Sequence, residues 1–235
     1  MVDHDDGGAA RCVTFQIRPP RQIRIGSGTA CIRTTRRIVS APKKVAAMGK
    51  RSAYPRRRLD CYDTPPEAVA PLIGHLAPGV RYWEPCAGSG ALLTALAGHA
   101  MCVGATDIEP RSRLVRRAAA EALTARRIAK AGAERFITNP PYPSNGSKGE
   151  PTLGLIRHLA AIRPTWMLLP FDFTANQYFA SVASICVKIL PIGRVSWMFN
   201  GDGGKENSAW VLFDAAHVGP TRFFANTPSV RRIAA

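Results

Sequence analysis

Residues 80–107 read VRYWEPCAGSGALLTALAGHAMCVGATD, and this stretch decides the fold. An apolar run from Val80 ends on an acid, Glu84, and meets the turn Pro85-Cys86-Ala87-Gly88-Ser89-Gly90. Ala91 to Ala97 then reads as a short helix, and Met101 to Asp107 as a second, largely apolar strand ending on a second acid. Strand, glycine turn, helix and strand make a β-α-β unit. Glycines at such a turn let the backbone pass close under a ligand where any Cβ would collide. Asp107 stands 23 residues after Glu84, where a carboxylate can accept both hydroxyls of a ribose. Leu93 occupies the place of the third glycine of a dinucleotide fingerprint, and no phosphate-cradling Gly-Lys-Ser/Thr sequence is present. The ligand these residues imply has a ribose and no pyrophosphate.

Outward from this unit the alternation continues. Arg135 to Thr138 and Thr165 to Leu169 read as strands, with helices expected at Ser112 to Ala118 and Leu153 to Ile162. Such alternation argues for an α/β fold with a parallel sheet covered on both faces. Phe173 to Ala183 is expected to be helical, and four strands follow: Val187 to Leu190, Val195 to Phe199, Trp210 to Asp214 and Thr221 to Phe224. They predict that the sheet ends in an antiparallel hairpin. Upstream, Thr64-Pro65-Pro66-Glu67 has an N-cap hydroxyl, a proline at the first helical position and a carboxylate three residues after the cap, which predicts a capping box. Trp166, Trp197 and Trp210 are placed in strands as core, and the six arginines between Arg111 and Arg127 on a solvated face.

The second chemical signal is Thr138-Asn139-Pro140-Pro141-Tyr142-Pro143, directly after a strand and so at the carboxyl edge of the sheet, where ligands of open α/β folds bind. An aromatic amine such as adenine N6 is a poor nucleophile, because its lone pair is delocalised into the ring. The Asn139 side-chain oxygen and the Pro140 carbonyl, both accepting from that amino group, would localise the lone pair and aim it at an electrophile. The prolines fix φ and restrict the residue before them, so little ordering is needed when substrate arrives. Tyr142 offers a flat face on which a base taken out of a duplex can stack, worth roughly 1–3 kcal/mol.

Charge divides the chain. Of 32 Lys and Arg against 16 Asp and Glu, residues 1–58 carry 14 basic and 3 acidic side chains, a net +11, and residues 59–235 a net +5. The reading is a basic, disordered arm over 1–58 and one catalytic-sized domain over 59–235. Such an arm favours a polyanionic partner through counterion release, although solubility or a non-native leader gives the same composition. Met48 lies just ahead of the patterned region, which raises the hypothesis that translation begins there. The first ten residues, MVDHDDGGAA, lack the basic start and apolar centre of a secretory signal. The longest apolar run, Ala180 to Gly193, is broken by Lys188 and falls short of the roughly 18 residues that cross a bilayer, so no membrane partner is expected. The six cysteines show no Cys-x-x-Cys pair and no zinc-finger spacing, and read as reduced thiols of a cytoplasmic protein without a metal site.

With both motifs in view, residues 60–225 resemble the S-adenosylmethionine-dependent DNA adenine-N6 methyltransferases, particularly the small phage and bacterial kind. The resemblance implies a Rossmann-like methyltransferase fold with a mostly parallel seven-stranded sheet, S-adenosylmethionine as cofactor and DNA as substrate. It implies that Glu84, Pro85, Cys86, Ala87, Gly88 and Gly90 pack around the methionine part of the cofactor, with the segment Tyr62-Asp63-Thr64-Pro65, Tyr62 and Thr64 above all, bordering the same moiety. Asp107-Ile108 would hold the ribose and adenine. The nearest match to the family's acid for the adenine amino group is Glu121-Ala122, with Glu where the family usually has Asp. Asn139-Pro140-Pro141-Tyr142 is similar to the catalytic tetrapeptide, in the form associated with transfer to nitrogen. Only 31 residues separate Asp107 from Asn139, too few for an inserted recognition domain, so Pro141, Lys148 and Lys205 on short loops are the candidate DNA contacts. Three alternatives stand beside this one: methyl transfer to RNA bases, methyl transfer to a protein glutamine side chain, and a nucleic-acid-binding relative that has lost the reaction.

Overall fold

The computed structural model describes residues 62–142, 150–200, 203–204 and 206–225. The basic arm, Cys61, Lys148 and Lys205 lie outside the described residues, and with them the expectations made for those positions.

Helix α1 (Pro66–Ile73) leads into strand β1 (Arg81–Glu84), helix α2 (Ala91–Leu96) and strand β2 (Met101–Asp107), the β-α-β unit expected from residues 80–107. Next come β3 (Arg116–Arg117), α3 (Ala125–Ala131), β4 (Arg135–Thr138), α4 (Glu150–Ile162) and β5 (Thr165–Pro170). The chain ends with α5 (Ala180–Ala183), β6 (Cys186–Arg194), β7 (Asn207–Phe213) and β8 (Arg222–Phe223). Among the described residues one eight-stranded sheet has the order β3-β2-β1-β4-β5-β7-β6-β8. Every pairing is parallel except those of β7, which is antiparallel to both β5 and β6. This is a doubly wound, Rossmann-like α/β sheet closed by an antiparallel hairpin. The sheet has one strand more than the expected seven: β8 matches the strand expected at Thr221 to Phe224, and the strand not expected from sequence is the two-residue β3, which adds, parallel, to the outer side of β2.

The two faces follow from the period of two along each strand. Tyr82, Ile137, Trp166, Leu168 and Trp210 point to one face, where Val69, Leu72, Leu92 and Leu96 of α1 and α2 cover them. Trp83, Phe136, Met167, Leu169 and Val211 point to the other and meet Ile128 of α3 and Leu153, Ile156 and Leu159 of α4. Trp166 and Trp210 are fully buried, and the Trp210 indole donates to the Ala68 carbonyl at 2.7 Å, fixing α1 on the sheet.

Several local expectations need correction. Residues 112–118 are not helical: Leu114 is exposed and only Val115 is buried, so there is no apolar stripe to dock a helix, and Arg116–Arg117 instead extends the sheet beside β2. The helix of this region is α3, which is capped by Thr124 Oγ1 accepting from the Arg127 N–H and ended by Gly132 in the left-handed conformation. Phe173 to Ala183 forms 3-10 turns and the single short turn of α5, because Thr174 Oγ1 and Asn176 Nδ2 bond to the Phe171 and Asp172 carbonyls and compete with helix formation. Val187 to Leu190 belongs to one nine-residue strand that runs through Pro191 and Gly193 with register shifts at both ends. Bulges of this kind tolerate a proline in a sheet. Val195 to Phe199 therefore lies in the turn after β6, and Trp197 is half-buried outside any strand. The capping box also fails: Pro65 is the N-cap of α1, with no side-chain cap, and the Thr64 hydroxyl is engaged elsewhere.

Candidate active site

Chain order puts β1 beside both β2 and β4, so the winding reverses between β1 and β4. Crevices form at such switch points, outside the carboxyl ends of the strands. A cavity of about 620 Å³ opens there, walled by the ends of β1, β2 and β4 and by the segment Tyr62–Thr64.

The glycine turn forms its floor. Gly88 and Gly90 both have positive φ, +50° and +82°, and Gly90 is the N-cap of α2. A Cβ on Gly88 would also meet Arg111 Nη2 at 3.0 Å. The Asp107 carboxylate ties the turns after β1 and β2 together, one oxygen accepting from the Gly88 N–H and the other from the Glu109 N–H, each at 2.8 Å. The Arg111 N–H donates in turn to the Gly88 carbonyl at 2.9 Å.

Glu84 ends β1 with 1% of its surface exposed, and its Oε2 has no hydrogen-bond partner among the described residues. Burial, and then the negative charge of Asp107, hold its carboxyl well above the usual range. An acid buried in a cavity wall without a partner is suited to a ligand cation, whose charge would restore the ionised form. Its neighbour Cys86 is pushed up to about 12, mainly by burial, and so stays a neutral thiol rather than a nucleophile.

Asn139 follows β4 and is held from three sides. Its Nδ2 donates to Thr64 Oγ1 at 3.1 Å and, more weakly, to the Tyr62 carbonyl at 3.4 Å. Its Oδ1 accepts from the Tyr142 hydroxyl at 3.0 Å, and the same hydroxyl lies 3.0 Å from the Leu168 carbonyl. One proton serves two acceptors, and an amide oxygen has two lone pairs, so Oδ1 keeps capacity to accept from a substrate. Tyr142 is half-buried and packs against the core cluster on the α3–α4 face of the sheet.

The cavity gathers most of the residues singled out from sequence. Tyr62 and Thr64 line it, as do the turn residues Glu84, Pro85, Cys86, Ala87 and Gly88. Asp107, Ile108 and Glu121 lie on its second side, and Asn139 and Pro141 on its third. Gly90, Ala122, Pro140 and Tyr142 are off its wall: Gly90 shapes the turn and Tyr142 acts on Asn139 through its hydroxyl. Asp63, within the segment expected to border the methionine moiety, and Arg111, expected on a solvated face, also line the cavity, and sequence reasoning missed that they form an ion pair at 2.6 Å across 48 residues of chain. Ser89 Oγ donates to the same Asp63 carboxylate. Nothing in a single sequence signals a pairing at that separation. Among the described residues no three His, Cys, Asp or Glu side chains gather as metal ligands, and no helix is long and apolar enough to cross a membrane.

No family model and no curated protein matches the chain. Among solved structures it is similar to a protein from Listeria monocytogenes described as a class I S-adenosylmethionine-dependent methyltransferase, at 13% identity and TM-score 0.40, over 67% of this chain and 61% of that one. It is similar to the S. pombe Dnmt2 methyltransferase at 16% identity and TM-score 0.42, over 61% of this chain and 53% of that one. It is also similar to precorrin-6y C5,15-methyltransferase from Geobacter metallireducens at 14% identity and TM-score 0.35, over 63% and 87%. The chain thus spans about three fifths of the first of these proteins and about half of the second. Its fold assignment rests on its own strand order: a doubly wound α/β sheet with one antiparallel strand and a ligand-sized cavity at the switch point.

Proposed function

We propose that this protein transfers a methyl group from S-adenosylmethionine to the exocyclic N6 amine of adenine in DNA, with the target base turned out of the duplex. The observation that carries the reading is the anchored Asn139 amide on the wall of the same cavity that holds Glu84, the Gly88 turn and Asp107. The residues fit the cofactor by their donor set. Glu84, a buried acid with an unpartnered oxygen, suits the ammonium group of the methionine part. The Gly88 backbone leaves room for a close approach. Each Asp107 oxygen retains a lone pair for a ribose hydroxyl beside its backbone bond. Glu121, on the lip of the cavity, suits the adenine amino group.

When bound, this cofactor supplies a methyl group on a sulfonium, already a strong electrophile, so the protein's work is alignment. Asn139 Oδ1 and the Pro140 carbonyl accept from the two N–H bonds of the target amine and turn its lone pair toward the cavity. Thr64 and the Tyr62 carbonyl hold the amide so that its oxygen, not its nitrogen, faces the substrate. Tyr142 steadies that oxygen, and its hydroxyl can turn its hydrogen bond to the Leu168 carbonyl as the substrate binds. The methylated amine becomes acidic and releases its proton to water, so no general base is required.

The test is incubation with tritiated S-adenosylmethionine and DNA, RNA or cell extract, followed by location of the label. Label on N6 of adenine in DNA, lost in Asn139→Ala while S-adenosylhomocysteine affinity stays within about twofold, supports the reading. Label in RNA or protein moves the substrate to that class, and equal activity in parent and variant removes Asn139 from the reaction.

A further inference from the structure

The cavity wall carries a cation as well as an acid. Arg111 and Glu84 line the same space, and the Arg111 guanidinium lies over the Gly88 turn, with Nη2 3.0 Å from where a Cβ on Gly88 would stand. An amino acid presents an ammonium and a carboxylate on one carbon, and a wall offering one buried acid and one guanidinium has the complementary pattern. We propose that Arg111 recognises the α-carboxylate of the cofactor's methionine part, with Asp63 holding the guanidinium in place before the cofactor arrives. This inference rests on the cofactor reading above and adds the residue that reads its carboxylate.

Three observations support it. The Arg111–Asp63 pair is short, at 2.6 Å, but its side chains are 39% and 27% exposed. A second, longer contact joins Arg111 Nη1 to Asp63 Oδ2 at 3.4 Å, and water screens a pair at this exposure, so the guanidinium can turn part of its fork toward a ligand carboxylate. A guanidinium carries five donors in a planar fork and can serve two carboxylates at once. Asp63 is also bonded to Ser89 of the glycine turn, so it keeps a partner if the guanidinium swings toward the ligand. Its chain neighbours Tyr62 and Thr64 supply both acceptors of the Asn139 amide. The same short segment therefore touches the carboxylate reader and the amide that aims the substrate. The other arginine on the wall, Arg117, donates to the Ile108 carbonyl at 2.8 Å and supplies none of the atoms nearest Gly88, which makes it the natural control.

Calorimetric titration of the full chain with two ligands separates the roles: S-adenosylhomocysteine, which has the amino-acid part, and 5′-methylthioadenosine, which lacks it. Arg111→Gln is expected to weaken S-adenosylhomocysteine by roughly 10- to 100-fold, the range for a charge-assisted hydrogen bond, and to change 5′-methylthioadenosine less than twofold. Arg111→Lys, which keeps the charge and loses the fork, is expected to fall between parent and Arg111→Gln. Arg117→Gln is expected to leave the ratio of the two affinities unchanged. Retained 5′-methylthioadenosine binding reports that each variant is folded. Equal weakening of both ligands, no weakening of either, or a change of ratio in Arg117→Gln instead overturns the assignment of Arg111 and leaves the cofactor reading standing. Failure of the parent chain to bind either ligand overturns the cofactor reading and this assignment with it.

Discussion

At the scale of single residues, Glu84 and Asn139 obey opposite rules of burial. Both side-chain polar atoms of Asn139 are bonded, to Thr64, Tyr62 and Tyr142, and its orientation is fixed without substrate. Glu84 is buried with one oxygen unpartnered, an arrangement that costs free energy in the unliganded fold and persists where a ligand completes it. Its carboxyl lies well above the ordinary value of 4.5, through burial and then Asp107, so the folded chain binds this proton more tightly than the unfolded chain. Stability from this group is therefore full below about pH 4.5 and is lost as pH rises toward the folded-state value. Glu84→Gln, which cannot ionise, is expected to melt with the parent near pH 4.5 and above it at pH 8. For a chain of this size the difference amounts to about 2–4 °C per kcal/mol. The variant is also expected to lose S-adenosylhomocysteine affinity, and melts that stay parallel across the pH range would contradict the buried, protonated acid.

Among the elements, the turn between β1 and α2 carries the most constraint on the fewest residues. Gly90 sits at φ +82° with nothing within 4 Å of where a Cβ would stand, so a substitution there meets no clash and feels only the left-handed backbone. Gly90→Ala is expected to destabilise by about 1–2 kcal/mol, read by denaturant unfolding, with the same unfolding slope as the parent. A smaller loss would mean that the turn relaxes to another conformation. The segment before α1 teaches the reverse lesson. Thr64 has the sequence signature of a helix cap, yet its hydroxyl serves Asn139, 75 residues away, and α1 starts one residue later without a side-chain cap. Packing of Val69 and Leu72 into the core holds that helix instead. Strand β6 shows how local breakers mislead: Pro191 and Gly193 divide the sequence into two apparent strands, and bulges in the pairing with β7 absorb both.

For the whole molecule, charge and fold are separable. The net +11 of residues 1–58 exceeds the +5 of the rest, and the cavity lies in the less charged part. If the arm supplies electrostatic affinity for DNA, deleting residues 1–47 is expected to weaken binding and to flatten its dependence on log salt concentration, because fewer counterions are released. An unchanged slope would show the arm idle in this role. The β-α-β unit, the strands β4 and β5, and the residues Glu84, Asp107 and Asn139 were legible in sequence, because each is set by local pattern: an apolar run, the turn that ends it, and an acid or amide at the strand's tip. Apolar periodicity along the chain determines which segments become strands, and position at a strand's carboxyl end determines that their terminal side chains share one edge. The rest was decided by tertiary structure. The Asp63–Arg111 pair, the grip of Thr64 and Tyr62 on Asn139, and the orphaned oxygen of Glu84 all depend on segments tens of residues apart being folded against one another, and the free energy of such contacts exists only once the sheet has brought those segments together.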